Sequence, residues 1–168
     1  MRIGFLVALV VLAFSAPALA FDDPKALVTA IYAPYQTPGA AANQDPAQYY
    51  SERLRGLVSA HAAKAAADLL SSPDRAPNTG PVAPVLSFNP FIDAQHSLLT
   101  DFAIGEPVVL GNKALVTVSF HNFDNATLLS LSLVKDPDGW KVDDVASLGQ
   151  GENWLLSWLL QYDPFSVN

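Results

Sequence analysis

Apolar and polar residues alternate strictly over two neighbouring stretches in the C-terminal half of the chain. Leu129, Leu131 and Leu133 alternate with Ser130 and Ser132; Ala114, Val116, Val118 and Phe120 alternate with Leu115, Thr117, Ser119 and His121. A period of two is that of a strand with one buried face. Asp136-Pro137-Asp138-Gly139 follows the leucines, with Pro preset for a turn and Gly free to take the left-handed conformation that closes a hairpin. Beyond it Trp140 and Val142 continue one face while Lys141 and Asp143 take the other. Leu128 to Gly149 is therefore expected to be a hairpin in an antiparallel sheet covered on one side. Phe102 to Leu110, turned at Gly111-Asn112, and Lys113 to Asn122 supply the strands before it.

The N-terminal half carries the helical period instead. Asp23-Pro24 opens a first helix, with an acceptor at the cap and Pro at the first helical position. Leu27, Ile31 and Tyr35, with Val28 and Tyr32 beside them, form its apolar stripe. Pro34 kinks or ends it, and Thr37 to Gln44 is a connector. Asp45-Pro46-Ala47-Gln48 opens a second helix running to about Leu70, with Tyr50, Leu54, Leu57, Val58, His61, Ala65 and Leu69 on one face. Ser72 to Val85, with four prolines, reads as a surface crossing. Leu86 to Gln95 has a turn signal at Asn89-Pro90 but is too apolar for exposed loop, so it is expected to tuck against the core. Asn153 to Leu160, if helical, is apolar nearly all round, with Trp154 and Trp158 one turn apart. Such a helix is buried on several sides or makes an interface. Helices first and a strand meander after is an α+β layout, with the helices packed on one face of a curved sheet of three to five strands and a short C-terminal helix.

The first 20 residues change the domain picture. Arg2, the apolar run Ile3 to Phe14 and Ala18-Leu19-Ala20 form the three parts of a secretory signal, with an uncleaved anchor as the alternative. Removing 20 of 168 residues leaves 148, enough for one domain with its own core, residues 21–168. The expected location is the periplasm. The chain has no cysteine, so no lipid is carried at the cleavage site, no disulfide framework exists, and thiol chemistry is excluded. Taking Arg2 from 9 basic residues leaves 8 against 16 acidic ones, a net charge of −8 with no basic block. Nucleic acid is an improbable partner on that ground, a cationic partner is permitted, and insertion into a membrane after cleavage is not expected.

These residues carry a resemblance. Two helices, a meander and a last strand reading Trp-Lys-Val-Asp-Asp-Val resemble the cystatin-like and NTF2-like α+β folds, in which a curved sheet wraps a helix. More narrowly, Ile31-Tyr32, Tyr50-Ser51-Glu52-Arg53-Leu54, Asn89-Pro90-Phe91 and Gly139 to Val145 with Leu148-Gly149 resemble a family of uncharacterised bacterial envelope proteins that includes the YbjP lipoproteins. The resemblance implies no catalytic activity and no cofactor. This chain lacks the cysteine of the lipidated members, and it has Asn89 where the family has an acid before Pro-Phe.

Candidate chemistry is thin. On strict alternation Asp144 points to the core face, where a carboxylate would have a raised pKa and serve as a general base or hold a polar ligand. A bulge or strand end that turns it to solvent, or a cap on nearby backbone amides, is the preferred alternative. A pocket between sheet and helix, if present, would draw on Tyr32, Asp93, Gln95, His96, Trp140 and Asp144. Asp93 and His96 have a spacing that could share a metal on a helix, but two ligands do not make a site, and no metal is expected. His61 reads as a core or boundary histidine with one satisfied nitrogen and His121 as solvated. No GxSxG, P-loop or dinucleotide fingerprint is present. Asn125-Ala126-Thr127 fits a glycosylation sequon. Trp154, Leu155, Trp158, Leu159 and Tyr162 are the candidate interface. Three functions follow: a non-enzymatic exported domain that binds another envelope protein or itself, a small-ligand binder or enzyme with an NTF2-like pocket, and a periplasmic inhibitor or immunity-type protein.

Overall fold

The computed structural model describes residues 20–36, 45–71, 86 and 88–162. The expectations for residues 1–19, for the connector 37–44 and for the crossing 72–85 lie outside the described residues. The first helix, α1, is Pro24–Tyr32. Asp23 accepts a hydrogen bond from the Ala26 amide at 2.8 Å, and Pro24 stands at the first helical position. A 3₁₀ turn over Ala33–Gln36 carries Pro34 out of the helix. Leu27, Val28, Ile31 and Tyr32 are buried, and α1 lies against the sheet's core face.

The second helix begins later than its sequence pattern suggests. Asp45 caps a separate 3₁₀ turn, Pro46–Tyr49; Tyr50 is extended, and α2 runs Glu52–Ser71. Two bonds force the break. The Ser51 amide donates to the Val142 carbonyl at 2.7 Å, and the Ser51 hydroxyl accepts from the Leu54 amide at 3.1 Å, so Ser51 is the true cap of α2. Residues 88–96 fold as expected into an irregular segment against the core. Phe91 and Ile92 are buried, and Asn89 makes a local turn by accepting from the Phe91 amide at 2.9 Å.

Among the described residues six strands form one antiparallel sheet: β1 Leu99–Ile104, β2 Val108–Leu110, β3 Lys113–Asn122, β4 Asn125–Asp136, β5 Gly139–Ser147 and β6 Trp154–Leu155, followed by α3, Leu156–Gln161. The order is β1-β3-β4-β5-β6, with β2 also paired to β3, in line with β1. Phe102 to Leu110 is thus two strands rather than one. Gly105 crosses so close to Thr117 that a β-carbon would lie 2.4 Å from the threonine hydroxyl, and Pro107 has no amide for the ladder. The expected α+β layout holds, with more strands than expected because the edge is split and because Trp154–Leu155 is strand, not helix. β3 alternates buried and exposed along its whole length, whereas β5 is covered nearly throughout.

The outer edge of β5 is sealed by short segments. Phe21 bridges Gly139, its carbonyl accepting from the Trp140 amide at 2.7 Å; Tyr50 bridges Val142; β6 pairs with Ala146 and Ser147. Gly139 is required twice over. Its φ is +102°, and a β-carbon there would lie 2.6 Å from the Phe21 carbonyl oxygen. No helix among the described residues is long and apolar enough to cross a membrane.

Candidate functional site

The space between α1 and the sheet is filled with rings. Tyr32 sits at its centre, fully buried, with ring centroids of Phe102 at 5.2 Å, Tyr35 at 5.9 Å, Phe120 at 6.1 Å and Phe91 at 6.4 Å. Its hydroxyl has no hydrogen-bond partner among the described residues, and burial pushes its pKa well above the usual tyrosine value, with Tyr35 adding to the rise. Trp140 belongs to the same core. Its indole N–H donates to the Asp22 carbonyl at 3.2 Å. Both side chains are buried in this core.

Asp144 takes the opposite face from Trp140. The β4–β5 ladder pairs Leu133 with Val142 and Ser132 with Asp144, which leaves Asp143 as an extra residue in a bulge. Beyond the bulge Leu131 faces Val145, so Val142 and Val145 share the core face and Asp144 goes to the other. The bulge does not turn it to solvent as expected: it is buried, because the start of α3 folds over it. Its Oδ1 accepts from the Ser157 amide at 3.0 Å and the Val145 amide at 2.9 Å, and its Oδ2 accepts from the Ser157 hydroxyl. Leu155, at the cap position of α3, has no side chain able to satisfy the helix's first amides; Asp144 performs that role from a distant strand. Asp144 does border a groove of about 440 Å³ on this outer face, together with Arg53, Lys113, Leu115, Ser132 and Asp143, but both its oxygens are engaged.

Beside it is an ion cluster that sequence patterns do not predict. Arg53 Nε reaches the two Asp143 oxygens at 3.0 and 3.1 Å, its Nη2 donates to the Asp143 carbonyl and lies 3.8 Å from Asp144, and the Ser51 hydroxyl donates to Asp143 at 2.6 Å. Partial burial pushes the Asp143 carboxyl up. The hydrogen bonds from Arg53 and Ser51 and the charges of Arg53 and Lys113 outweigh this and hold it below the usual carboxylate range. The cluster fastens the start of α2 to the bulge.

Asp93 is likewise committed. Trp154 Nε1 and the Ser147 hydroxyl each donate to it at 2.8 Å, which ties the 88–96 segment to β5 and β6. Ser147 faces Leu129, so Asp93 lies on the core side and Asp144 on the other. Gln95 and His96 are exposed. With Asp93, His121, Asn122 and Gln150 they border a polar surface depression of about 790 Å³. The six candidate pocket residues therefore do not converge. No group of three metal-ligating side chains exists among the described residues. His61 Nδ1 donates to the Leu160 carbonyl at 3.0 Å, and half-exposed His121 lies 3.2 Å from Asp101.

The candidate interface residues divide. Trp154, expected one helical turn before Trp158, lies in β6 and packs edge-on against Phe88 with centroids 5.2 Å apart. Leu156, Ser157 and Leu160 are the buried side of α3. Its outward side carries Trp158, 52% exposed, whose ring meets that of Tyr162, the 56% exposed residue just past the helix, at a tilt of 34° with centroids 5.3 Å apart; Leu155 is exposed and Leu159 is half-buried.

No family model matches this chain, and no curated protein does. One chain of a crystal structure, that of the type VI native effector–immunity complex Tae3–Tai3 from Ralstonia pickettii, is similar to it at 16% identity. The match covers 79% of this chain and 100% of that one, with a TM-score of 0.45. A likeness at that level carries no argument about activity or partner.

Proposed function

We propose that the chain is an exported, non-enzymatic domain that binds a protein partner through the outward side of α3. The observation that carries this is the Trp158–Tyr162 pair: two half-exposed aromatic rings in tilted contact, on and just past a helix whose other side is pinned by Asp144, Leu156, Leu160 and His61. A rigid base under exposed Trp and Tyr gives large contact area at little ordering cost, which is why these residues concentrate where interfaces have their energetic centre. The ring-filled interior and the engaged carboxylates Asp93 and Asp144 favour this reading over a ligand-filled pocket. Export is supported by the N-terminal sequence, and a net charge of −8 after cleavage favours a partner with a basic rim. An inhibitor or immunity role is a narrower form of the same proposal, in which the captured protein is a toxin.

Site-specific photocross-linking in the cell of origin tests it. A photoreactive amino acid at Trp158 is expected to give a discrete heterologous adduct, and one at Thr100, in β1 at the opposite edge of the sheet, is not. Absence of any adduct at both Trp158 and Tyr162 contradicts the proposal.

A further inference from the structure

The geometry points to β2 as a self-association edge, at which a second copy of this chain pairs antiparallel about a two-fold axis through Val109. This goes beyond the α3 proposal and stands on different residues. The elements around β2 all steer exposed edges away from pairing. The outer edge of β5 is covered by Phe21, Tyr50 and β6, and β1 is broken by a shift in register around Asp101, whose φ is +51°. β2 has no such protection. It holds three apolar residues and no charge, with Val108, Val109 and Leu110 exposed to 70, 51 and 84%.

The hairpin's own geometry aims one donor and one acceptor outward. Leu110 and Lys113 flank the two-residue turn Gly111-Asn112, with Gly111 at φ +60° in the first central position, as a type II′ turn requires. The pair closing such a turn exchanges hydrogen bonds, so the next pair, Val109 with Ala114, does not, and the N–H and C=O of Val109 face away from β3. No other described backbone group takes them.

A second copy meets this edge in a way that repeats itself under the two-fold. Each Val109 donates its N–H to the other's C=O, and Val108 of each copy falls opposite Leu110 of the other on the outer face, where Leu115 and half-buried Val134 extend the apolar patch. In this register Glu106 falls level with the Gly111-Asn112 turn of the second copy, so no two like charges are set opposite each other. Glu106 is largely exposed even though it pairs with Lys25 within its own chain. Pro107 offers no amide and limits the pairing to the short strand. The interface is accordingly of the small, weak class, with dimer forming in a concentration-dependent way.

Sedimentation velocity of the chain without residues 1–20, over a concentration series, is expected to show a monomer–dimer equilibrium that Leu110→Lys and Val108→Lys abolish with unchanged circular dichroism. The chain has no cysteine, so Val109→Cys introduces a sole thiol. Opposed residues of a hydrogen-bonded pair lie about 5.5 Å apart at Cα, within disulfide range, so mild oxidation is expected to link this variant as a dimer and to leave Trp158→Cys unlinked. A wild type monomeric throughout the series overturns the inference, as does a dimer that survives Leu110→Lys or is lost in Trp158→Asp. Cross-linking of a partner at position 158 is expected to persist in Leu110→Lys, so failure here leaves the α3 proposal standing and the reverse also holds.

Discussion

Replacing Asp144 by alanine separates a structural carboxylate from a functional one. The side chain accepts from the Val145 amide, the Ser157 amide and the Ser157 hydroxyl, all in buried surroundings. A hydrogen bond to a charged group contributes about 1.5–3 kcal/mol, and a buried donor left unmatched costs about 1–3 kcal/mol. The three bonds share one carboxylate and do not add, so Asp144→Ala is expected to cost about 3–5 kcal/mol, the usual range for removing one member of a buried charged network. For a domain of this length that is a fall in Tm of roughly 6–20 °C. Asp144→Asn keeps an oxygen for the two amides and lets the serine hydroxyl accept instead of donate, so its cost is expected near 1 kcal/mol. Urea denaturation followed by circular dichroism gives both numbers. Hydrogen exchange localises the damage: in the alanine variant the α3 amides exchange faster than in wild type while the β3 and β4 ladder stays protected. An alanine variant as stable as wild type, or more stable, refutes the reasoning, because residues kept for function commonly detract from stability.

Other expectations follow from single contacts. Tyr32→Phe removes a buried hydroxyl without a partner and is expected to be neutral or to raise stability by up to about 1 kcal/mol in thermal melts. Asp143 titrates below its unfolded value, so its contribution to stability is full above about pH 4 and is lost as pH falls through the depressed folded pKa; Arg53→Gln should weaken that acid dependence in stability curves measured from pH 6 to 2. Gly139→Ala should destabilise the fold by more than 1 kcal/mol, through its positive φ and the collision with the Phe21 backbone. Trp158→Asp, on an exposed ring, should alter stability by less than about 1 kcal/mol, whereas Leu156→Ala, beneath the same helix, should cost about 2–5 kcal/mol by the same denaturation assay.

The parts of the fold governed by local chemistry could be read from the residues alone. The cap at Asp23-Pro24, the turn at Gly111-Asn112 and the one-sided alternation of Lys113–Asn122 depend on neighbours a few positions away. Ser51, Asp93 and Asp144 could not be read that way, since each is defined by a partner more than ten positions away. The bulge at Asp143 did leave a trace. In Trp-Lys-Val-Asp-Asp-Val the apolar positions are 140, 142 and 145, so the last is one place out of phase, the mark of an extra residue in a strand. Strict alternation carried past that point puts Asp144 on the wrong face. The tail misleads for another reason. A run of apolar residues has no period to divide strand from helix, and only the pairing of Trp154 with Ser147 decides where α3 begins.

The protein cross-linked at Trp158, once purified, allows the proposed function to be measured rather than inferred. Its affinity for the wild-type chain and for Trp158→Ala should be compared by calorimetry, with Leu98→Ala as the exposed control. An aromatic at the energetic centre of an interface contributes about 2 kcal/mol or more, so binding is expected to weaken by roughly thirtyfold in Trp158→Ala and to stay unchanged in the control. Equal affinity for wild type and Trp158→Ala contradicts the assignment of α3 as the binding surface.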